Sequence, residues 1–150
     1  MNIVKATAQR RDEIINLLQA QKLPSEDVPL LLNDFYIALE ADELTGVIGM
    51  ERYGHYGLLR SMAVHPDYRN KHIAETLVKR LEEKAASSGI SLMFLLTETA
   101  ANYFERKGYD TITRDDVPDD VMGSTEFSHV CPVSATVMKK QLIEHAVAVS

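Results

Sequence analysis

The stretch with the most chemical promise runs Leu59-Arg60-Ser61-Met62-Ala63-Val64-His65-Pro66-Asp67-Tyr68-Arg69-Asn70-Lys71-His72-Ile73-Ala74. In it the end of an apolar strand, a turn and the start of an amphipathic helix follow one another directly. The first backbone N–H groups of a helix have no partners within it, and the helix dipole adds roughly half a positive charge at that end. Together they form an anion site, of which a diphosphate is a natural occupant. Arg69 and Lys71 bring whole charges beside it. Helix starts of this kind are general, so on physics alone an ordinary strand-to-helix connection with solvated cations accounts for the same residues.

Three other side chains invite a chemical reading. Arg60 is a cation in the otherwise apolar run Leu58-Leu59-Arg60-Ser61. Alternation puts Arg60 with Met62 and Val64 on one face of the strand, and Leu59, Ser61 and Ala63 on the other. A sheltered arginine needs a carboxylate, which either the protein or a substrate can supply. Glu98, in Thr97-Glu98-Thr99, falls at a strand end, where ligands gather in open sheets. It can equally be a carboxylate near a helix N-terminus, favourable for reasons unrelated to catalysis. Cys131 lies between Val130 and Pro132 with no base at a motif spacing, and reads as structural.

The elements that must position these residues follow from periodicity. Ile3–Ala6 reads as a short strand, with Thr7 as a cap for a helix whose apolar face is Ile14, Ile15, Leu17 and Leu18. After a break at Leu23–Asp27, Val28–Leu32 suits a short second helix. Strands are expected over Phe35–Ala41, Thr45–Tyr53 and Tyr56–Val64 as an antiparallel meander, with Gly49 easing a bend. Ile73, Ala74, Leu77, Val78, Leu81 and Ala85 form the apolar stripe of a long helix, closed by Ser87-Ser88-Gly89. Ser91–Leu96 has the continuous apolar run of a strand covered on both faces, parallel to the one before the helix. A short helix over Ala100–Lys107, a strand over Tyr109–Thr113, helical turns in Pro118–Phe127 and a last strand over Ser134–Leu142 complete the chain, with a frayed end from Glu144.

With 150 residues, 45% of them hydrophobic and 25% charged, the chain reads as one globular domain over 1–150. The net charge of −6 argues against nucleic acid as the main partner. A lone cysteine gives neither an internal disulfide nor a zinc cage, and fits a reducing, cytoplasmic home. No signal-like apolar run opens the chain, and no stretch is long enough for a membrane span, so no membrane partner is expected. The terminal strand offers an edge along which a homodimer could pair.

Met62-Ala63-Val64-His65-Pro66, Arg69, Ile73-Ala74 and Leu77-Val78 resemble the acetyl-CoA motif of the GNAT N-acetyltransferase superfamily. In that motif a strand ending Leu-Ala-Val-x-Pro is followed by x-x-Arg, Gly-x-Gly-x-Gly/Ala and an amphipathic helix. The resemblance extends to Gly89, to the strand Leu92–Leu96 and to Phe104-Glu105-Arg106-Lys107-Gly108-Tyr109, and covers nearly the whole chain. It implies an α/β (α+β) fold with a mixed, mostly antiparallel central sheet, a splayed parallel strand pair and helices on both faces. It also implies acetyl-CoA as co-substrate and a small-molecule amine as acceptor, with no metal. Met62, Ala63, Val64, Arg69, Asn70, Lys71, His72, Ile73, Ala74 and Phe104 would then contact coenzyme A, its pantetheine arm lying between the strands that end at Val64 and Leu96. Arg60, Ser61, Thr97 and Thr99 would face the acceptor. Glu51, mid-strand where the family often has a carboxylate, is the candidate general base, with Glu98 its rival; a charged strand residue more commonly faces solvent.

Two departures stand out. Asn70 and His72 replace loop glycines. Asn tolerates left-handed backbone, whereas an imidazole at 72 either points outward or takes part in phosphate binding. Phe104 falls where relatives often carry an acidic Tyr; Tyr103 is about 100° away around the helix and reads as packing. Strings such as Leu58–Val64, Leu95–Ala100 and Thr125–Ala135 resemble the N-acetyltransferases encoded beside arsenic-resistance genes, which implies an amino-acid-like or organoarsenical amine. The competing reading on the same fold is a non-catalytic acyl-CoA sensor or interaction domain.

Overall fold

A computed structural model describes residues 1–69, 71–124, 127 and 134–142. Asn70, Cys131, most of the Thr125–Ala135 string and the C-terminal residues from 143 lie outside the described residues. The strands are β1 (Asn2–Lys5), β2 (Phe35–Glu40), β3 (Glu43–Tyr53), β4 (Tyr56–Val64), β5 (Leu92–Thr97), β6 (Asp110–Ile112) and β7 (Thr136–Gln141). The helices are α1 (Arg11–Ala20), α2 (Ile73–Ser87), α3 (Ala101–Arg106) and α4 (Asp119–Met122). The sheet order is β1-β2-β3-β4-β5-β7-β6. Tyr56–Leu58 of β4 run parallel to Leu92–Phe94 of β5, while β1–β2, β2–β3, β5–β7 and β6–β7 are antiparallel. This is the mixed, mostly antiparallel α/β sheet that the resemblance implied. The chain divides into two compact units, one of Met1–Glu51 with Leu59–Lys84, the other of Arg52–Leu58 with the residues from Ala85 onward.

In the first unit, α1 buries Ile14, Leu17 and Leu18 against Phe35 and Ile37 of β2, Val47 of β3 and Ala63 of β4. Gly46, next to Val47 on β3, points the other way, as strand geometry requires. A Cβ there would come within 3.0 Å of Ile73 Cγ2 and Leu77 Cδ1. The missing side chain therefore lets the first turns of α2 lie close on the face of β3 opposite α1. The β2–β3 hairpin closes with both turn residues left-handed, Ala41 at φ 48° and Asp42 at φ 70°, the geometry of a tight two-residue turn. Arg10 offsets the strain by donating to Asp42 Oδ1 at 2.6 Å and to its carbonyl at 3.0 Å.

Three expectations are corrected here. Val28–Leu32 forms no helix: Arg11 Nη2 and Nε donate to the carbonyls of Val28 (2.7 Å) and Pro29 (3.1 Å), tying the segment to α1 as a loop. Val28 and Leu32 are buried from that loop, while Leu30 and Leu31 are exposed. Thr7 makes no side-chain cap; a 3-10 turn, Ala8–Arg10, leads into α1 instead. Gly49 serves packing, since a Cβ would sit 2.4 Å from Phe35 Cε2 and the Phe35 ring lies where a side chain would be.

In the second unit, Leu58, Phe94, Val117, Val121, Phe127 and Val137 form the core. Gly89, at φ 91°, ends α2 as expected, with Ile90 N–H bonded to the Ala85 carbonyl at 3.0 Å. β7 is paired on both sides, by β5 and by β6. It is therefore no edge, and the expected pairing of two copies along it loses its basis. No helix among the described residues is long and apolar enough to cross a membrane.

Candidate active site

The candidate anion site is built by the turn between β4 and α2. His65, at the end of β4, is fixed to β3 by its N–H to the Thr45 carbonyl (2.8 Å), and its Nδ1 accepts the Asp67 N–H (3.1 Å) to cap a one-turn 3-10 helix, Pro66–Tyr68. Tyr68 donates to Glu43 Oε2 at 3.2 Å; that hydrogen bond, and then the charge of the same carboxylate, raise the phenol above its usual range. Arg69 donates to Gln21 Oε1, and Lys71 Nζ sits 5.4 Å above the Tyr68 ring. Both cations belong to exposed residues.

His72 sets the start of α2. Its carbonyl takes both the N–H (3.1 Å) and the hydroxyl (2.8 Å) of Thr76. The amides of Ile73 and Ala74 open this 15-residue helix, in the first turn, where backbone N–H groups lack acceptors at helical spacing. Ile73, only 2% exposed, pins this turn to the core. His72 has φ 61°, the left-handed conformation a glycine would take freely, and its side chain is 83% exposed with Nδ1 3.3 Å from Glu75 Oε2. The imidazole points outward. His72→Gly is expected to raise stability by about 0.5–1 kcal/mol, because it removes a left-handed penalty of about 1–2 kcal/mol against a smaller gain in unfolded-chain entropy. Urea unfolding checks it; a loss of stability would mean that the His72–Glu75 contact outweighs the strain.

The second cluster gathers Glu51, Arg60 and Ser61, and adds Asp27. Arg60 is 4% exposed. Its Nη1 donates to Glu51 Oε2 (3.0 Å) and to the Asp27 carbonyl (3.4 Å), its Nη2 to Asp27 Oδ1 (2.7 Å) and its Nε to Ser61 Oγ (3.0 Å). The guanidinium also lies 5.9 Å from the Phe35 ring centre. The carboxylate that a sheltered arginine demands is thus internal, and there are two of them. Ser61 is left-handed, at φ 57°, in the middle of β4. A residue in that conformation breaks the two-residue repeat, so the alternation expected across Arg60, Met62 and Val64 does not carry through it. Arg60 is buried, Met62 and Val64 are half-buried, and Ala63 packs into the α1 cluster. Asp27 was missed because its segment reads as a plain break. The available signal was the arginine itself, which needs charge compensation from outside its own strand.

The remaining candidates belong to the second unit. Thr97 Oγ1 accepts the Ala100 N–H at 2.9 Å, holding the entry to α3. Glu98 and Thr99 are exposed. Phe104 is 3% exposed and packs edge-on against Tyr103 (5.3 Å) and Tyr109 (5.4 Å). Tyr103 is half-buried, with Lys107 Nζ 5.5 Å from its ring, in keeping with a packing role.

A mixed sheet whose β4 leads through a short turn into a helix start with spare amides defines the GNAT type of acyltransferase fold. The family of the acetyltransferase (GNAT) domain matches residues 32–111, more than half of the chain, and the chain belongs to it. The amino-acid acetyltransferase of Escherichia coli strain K12 is 35% identical over 63 residues, which is 42% of this chain and 14% of that protein. The chain thus spans only a small part of the length of the curated relatives it matches. N-acetylglutamate synthase from Neisseria gonorrhoeae, solved with coenzyme A and N-acetyl-glutamate, superposes with a TM-score of 0.82 at 19% identity, over 95% of this chain and 35% of that one. A GNAT-family acetyltransferase from Staphylococcus aureus Mu50 superposes with a TM-score of 0.76 at 22% identity, over 95% and 99% of the two chains.

Proposed function

We propose that this chain is an acetyl-CoA-dependent N-acetyltransferase acting on the primary amine of a small, amino-acid-like molecule. The observation that carries the reading is the start of α2, where the Ile73 and Ala74 amides open the helix and the His72 ring points outward. In this proposal the diphosphate of coenzyme A sits on the amides of Ile73 and Ala74, with Arg69 and Lys71 adding charge. The pantetheine arm follows the backbone of Met62, Ala63 and Val64. Glu51 takes a proton from the acceptor ammonium, directly or through water, and the neutral amine attacks the thioester carbonyl carbon. Collapse of the tetrahedral adduct breaks the C–S bond and expels the thiolate, while the adduct nitrogen gives up its remaining extra proton to water to leave the neutral amide. Phe104 has no hydroxyl to offer, so that thiolate takes its proton from water. Ser61 belongs to the acceptor side; Thr97, Glu98 and Thr99 are separate candidates to test by substitution, Glu98 as the second carboxylate.

The acceptor class draws support from charge. One guanidinium, Arg60, stands between two carboxylates, Asp27 and Glu51, so the cluster carries net negative charge and suits a cationic amine. The matched relatives include proteins named as amino-acid acetyltransferases, which favours an amino acid over a polyamine. Thiol release from acetyl-CoA should be followed across L-glutamate, L-glutamine, L-methionine, an aminoaryl arsenical and a peptide N-terminus. Turnover on a free amino acid is the expected outcome, with the arsenical as the second acceptor to respond. Coenzyme A binding with no release on any amine would replace this reading with an acyl-CoA sensor, and turnover on the peptide alone would replace the acceptor class.

A further inference from the structure

We infer that Asp27 is a positioning residue that acts on Glu51 through Arg60; this rests on the reading of Glu51 as general base. Asp27 belongs to neither β3 nor β4. It sits on the segment between α1 and β2, yet supplies a short bond to the guanidinium, 2.7 Å from Nη2 to Oδ1, and a second contact through its own carbonyl at 3.4 Å. That segment is held in turn at the next two residues, where Arg11 on α1 takes the carbonyls of Val28 and Pro29. The chain of contacts therefore runs from α1 through Arg11 to the loop, and from Asp27 through Arg60 to Glu51 Oε2 at 3.0 Å.

The order of burial says which way the constraint acts. The Arg60 side chain is 2% exposed, that of Asp27 11% and that of Glu51 26%. A planar guanidinium has a fixed fork of donors, so an acceptor that fixes one arm fixes the direction of the other. Asp27 and Ser61 Oγ engage Nη2 and Nε, and the remaining Nη1 is thereby aimed at the more exposed carboxylate. Without Asp27 the guanidinium is held by fewer bonds and can turn toward solvent, and Glu51 loses its fixed orientation. A proton acceptor displaced by even about 1 Å can cost up to about a hundredfold in rate. The Asp27 Oδ2 oxygen is buried with no hydrogen-bond partner. A group placed only for fold stability would gain more from satisfying that oxygen, whereas this one is committed to the arginine by Oδ1 and by its carbonyl.

The test is a kinetic cycle of Asp27→Ala, Asp27→Asn, Glu51→Gln and the Asp27→Ala/Glu51→Gln pair, using acetyl-CoA with the most reactive acceptor of the panel. A crystal structure of Asp27→Ala accompanies it. Asp27→Ala is expected to lower kcat about tenfold or more with KM for acetyl-CoA unchanged, and Asp27→Asn, which keeps the acceptor oxygen, to retain part of the rate. In the Glu51→Gln background Asp27→Ala should lower kcat no further. The crystal structure should show the 3.0 Å contact between Arg60 and Glu51 broken. Multiplicative losses, or an Arg60–Glu51 contact intact without Asp27, overturn the inference and leave the general base standing. Glu51→Gln at full rate removes the base itself, which is a separate failure.

Discussion

Glu51→Gln is expected to lower kcat by about a hundredfold or more, the usual worth of a general base, with little change in KM for acetyl-CoA. Glutamine keeps the size of the side chain and an oxygen that can accept from Arg60 Nη1, so the 3.0 Å contact survives while the proton acceptor is lost. The proposed co-substrate site lies at the start of α2, with Arg69, Lys71 and Ile73, whereas the contact described for Glu51 is to Arg60. The loss therefore belongs in the chemical step. Steady-state kinetics with each substrate varied in turn separate the cases. A fall in kcat alone fits the proposal, a rise in KM for the amine with kcat intact would make Glu51 a binding group, and no effect would move the role to Glu98.

Arg60→Met should have the largest effect on stability. It removes a guanidinium whose side chain is 2% exposed and takes the ion-pair partner from the Asp27 carboxylate, 11% exposed, and from the less sheltered Glu51. Removing one member of such a set costs about 3–5 kcal/mol, because charge remains buried without compensation. In a chain of this size that corresponds to a fall in melting temperature of about 6–20 °C. Adding Asp27→Asn and Glu51→Gln to Arg60→Met should recover much of the loss, since the penalty lies in unpaired charge more than in lost packing. Calorimetric or urea unfolding of the single and triple variants decides this. A triple variant no more stable than the single one would show that packing against Phe35 carries the effect instead.

The parts of the fold that could be read from residue order are those governed by local chemistry. The stripe from Ile73 to Ala85 and Gly89 behind it define α2 to within a residue or two, and the apolar run Leu92–Leu96 gives β5 its place beside β4. The start of α2 was legible for the same reason, since a helix start needs only its own backbone. What could not be read depended on contacts distant in sequence. Val28–Leu32 has helical spacing, but Arg11, 17 and 18 residues away, claims its carbonyls. Gly49 read as easing a bend because nothing local reveals that the Phe35 ring covers it. The Arg60 cluster was half visible: a cation in an apolar strand announces a carboxylate, and Glu51 was already a candidate, but Asp27 lies 33 residues before it in a segment without periodicity. Ser61 gave no warning either, since a left-handed serine inside a strand has no composition signal.

The most direct measurement is a crystal structure grown with coenzyme A. Diphosphate oxygens within about 3 Å of the amides of Ile73 and Ala74, the distance of an N–H···O hydrogen bond, with the His72 ring still turned to solvent, is the result expected here. A nucleotide arm seated elsewhere on the chain, or His72 folded over those amides with no coenzyme A bound at millimolar concentration, would contradict it.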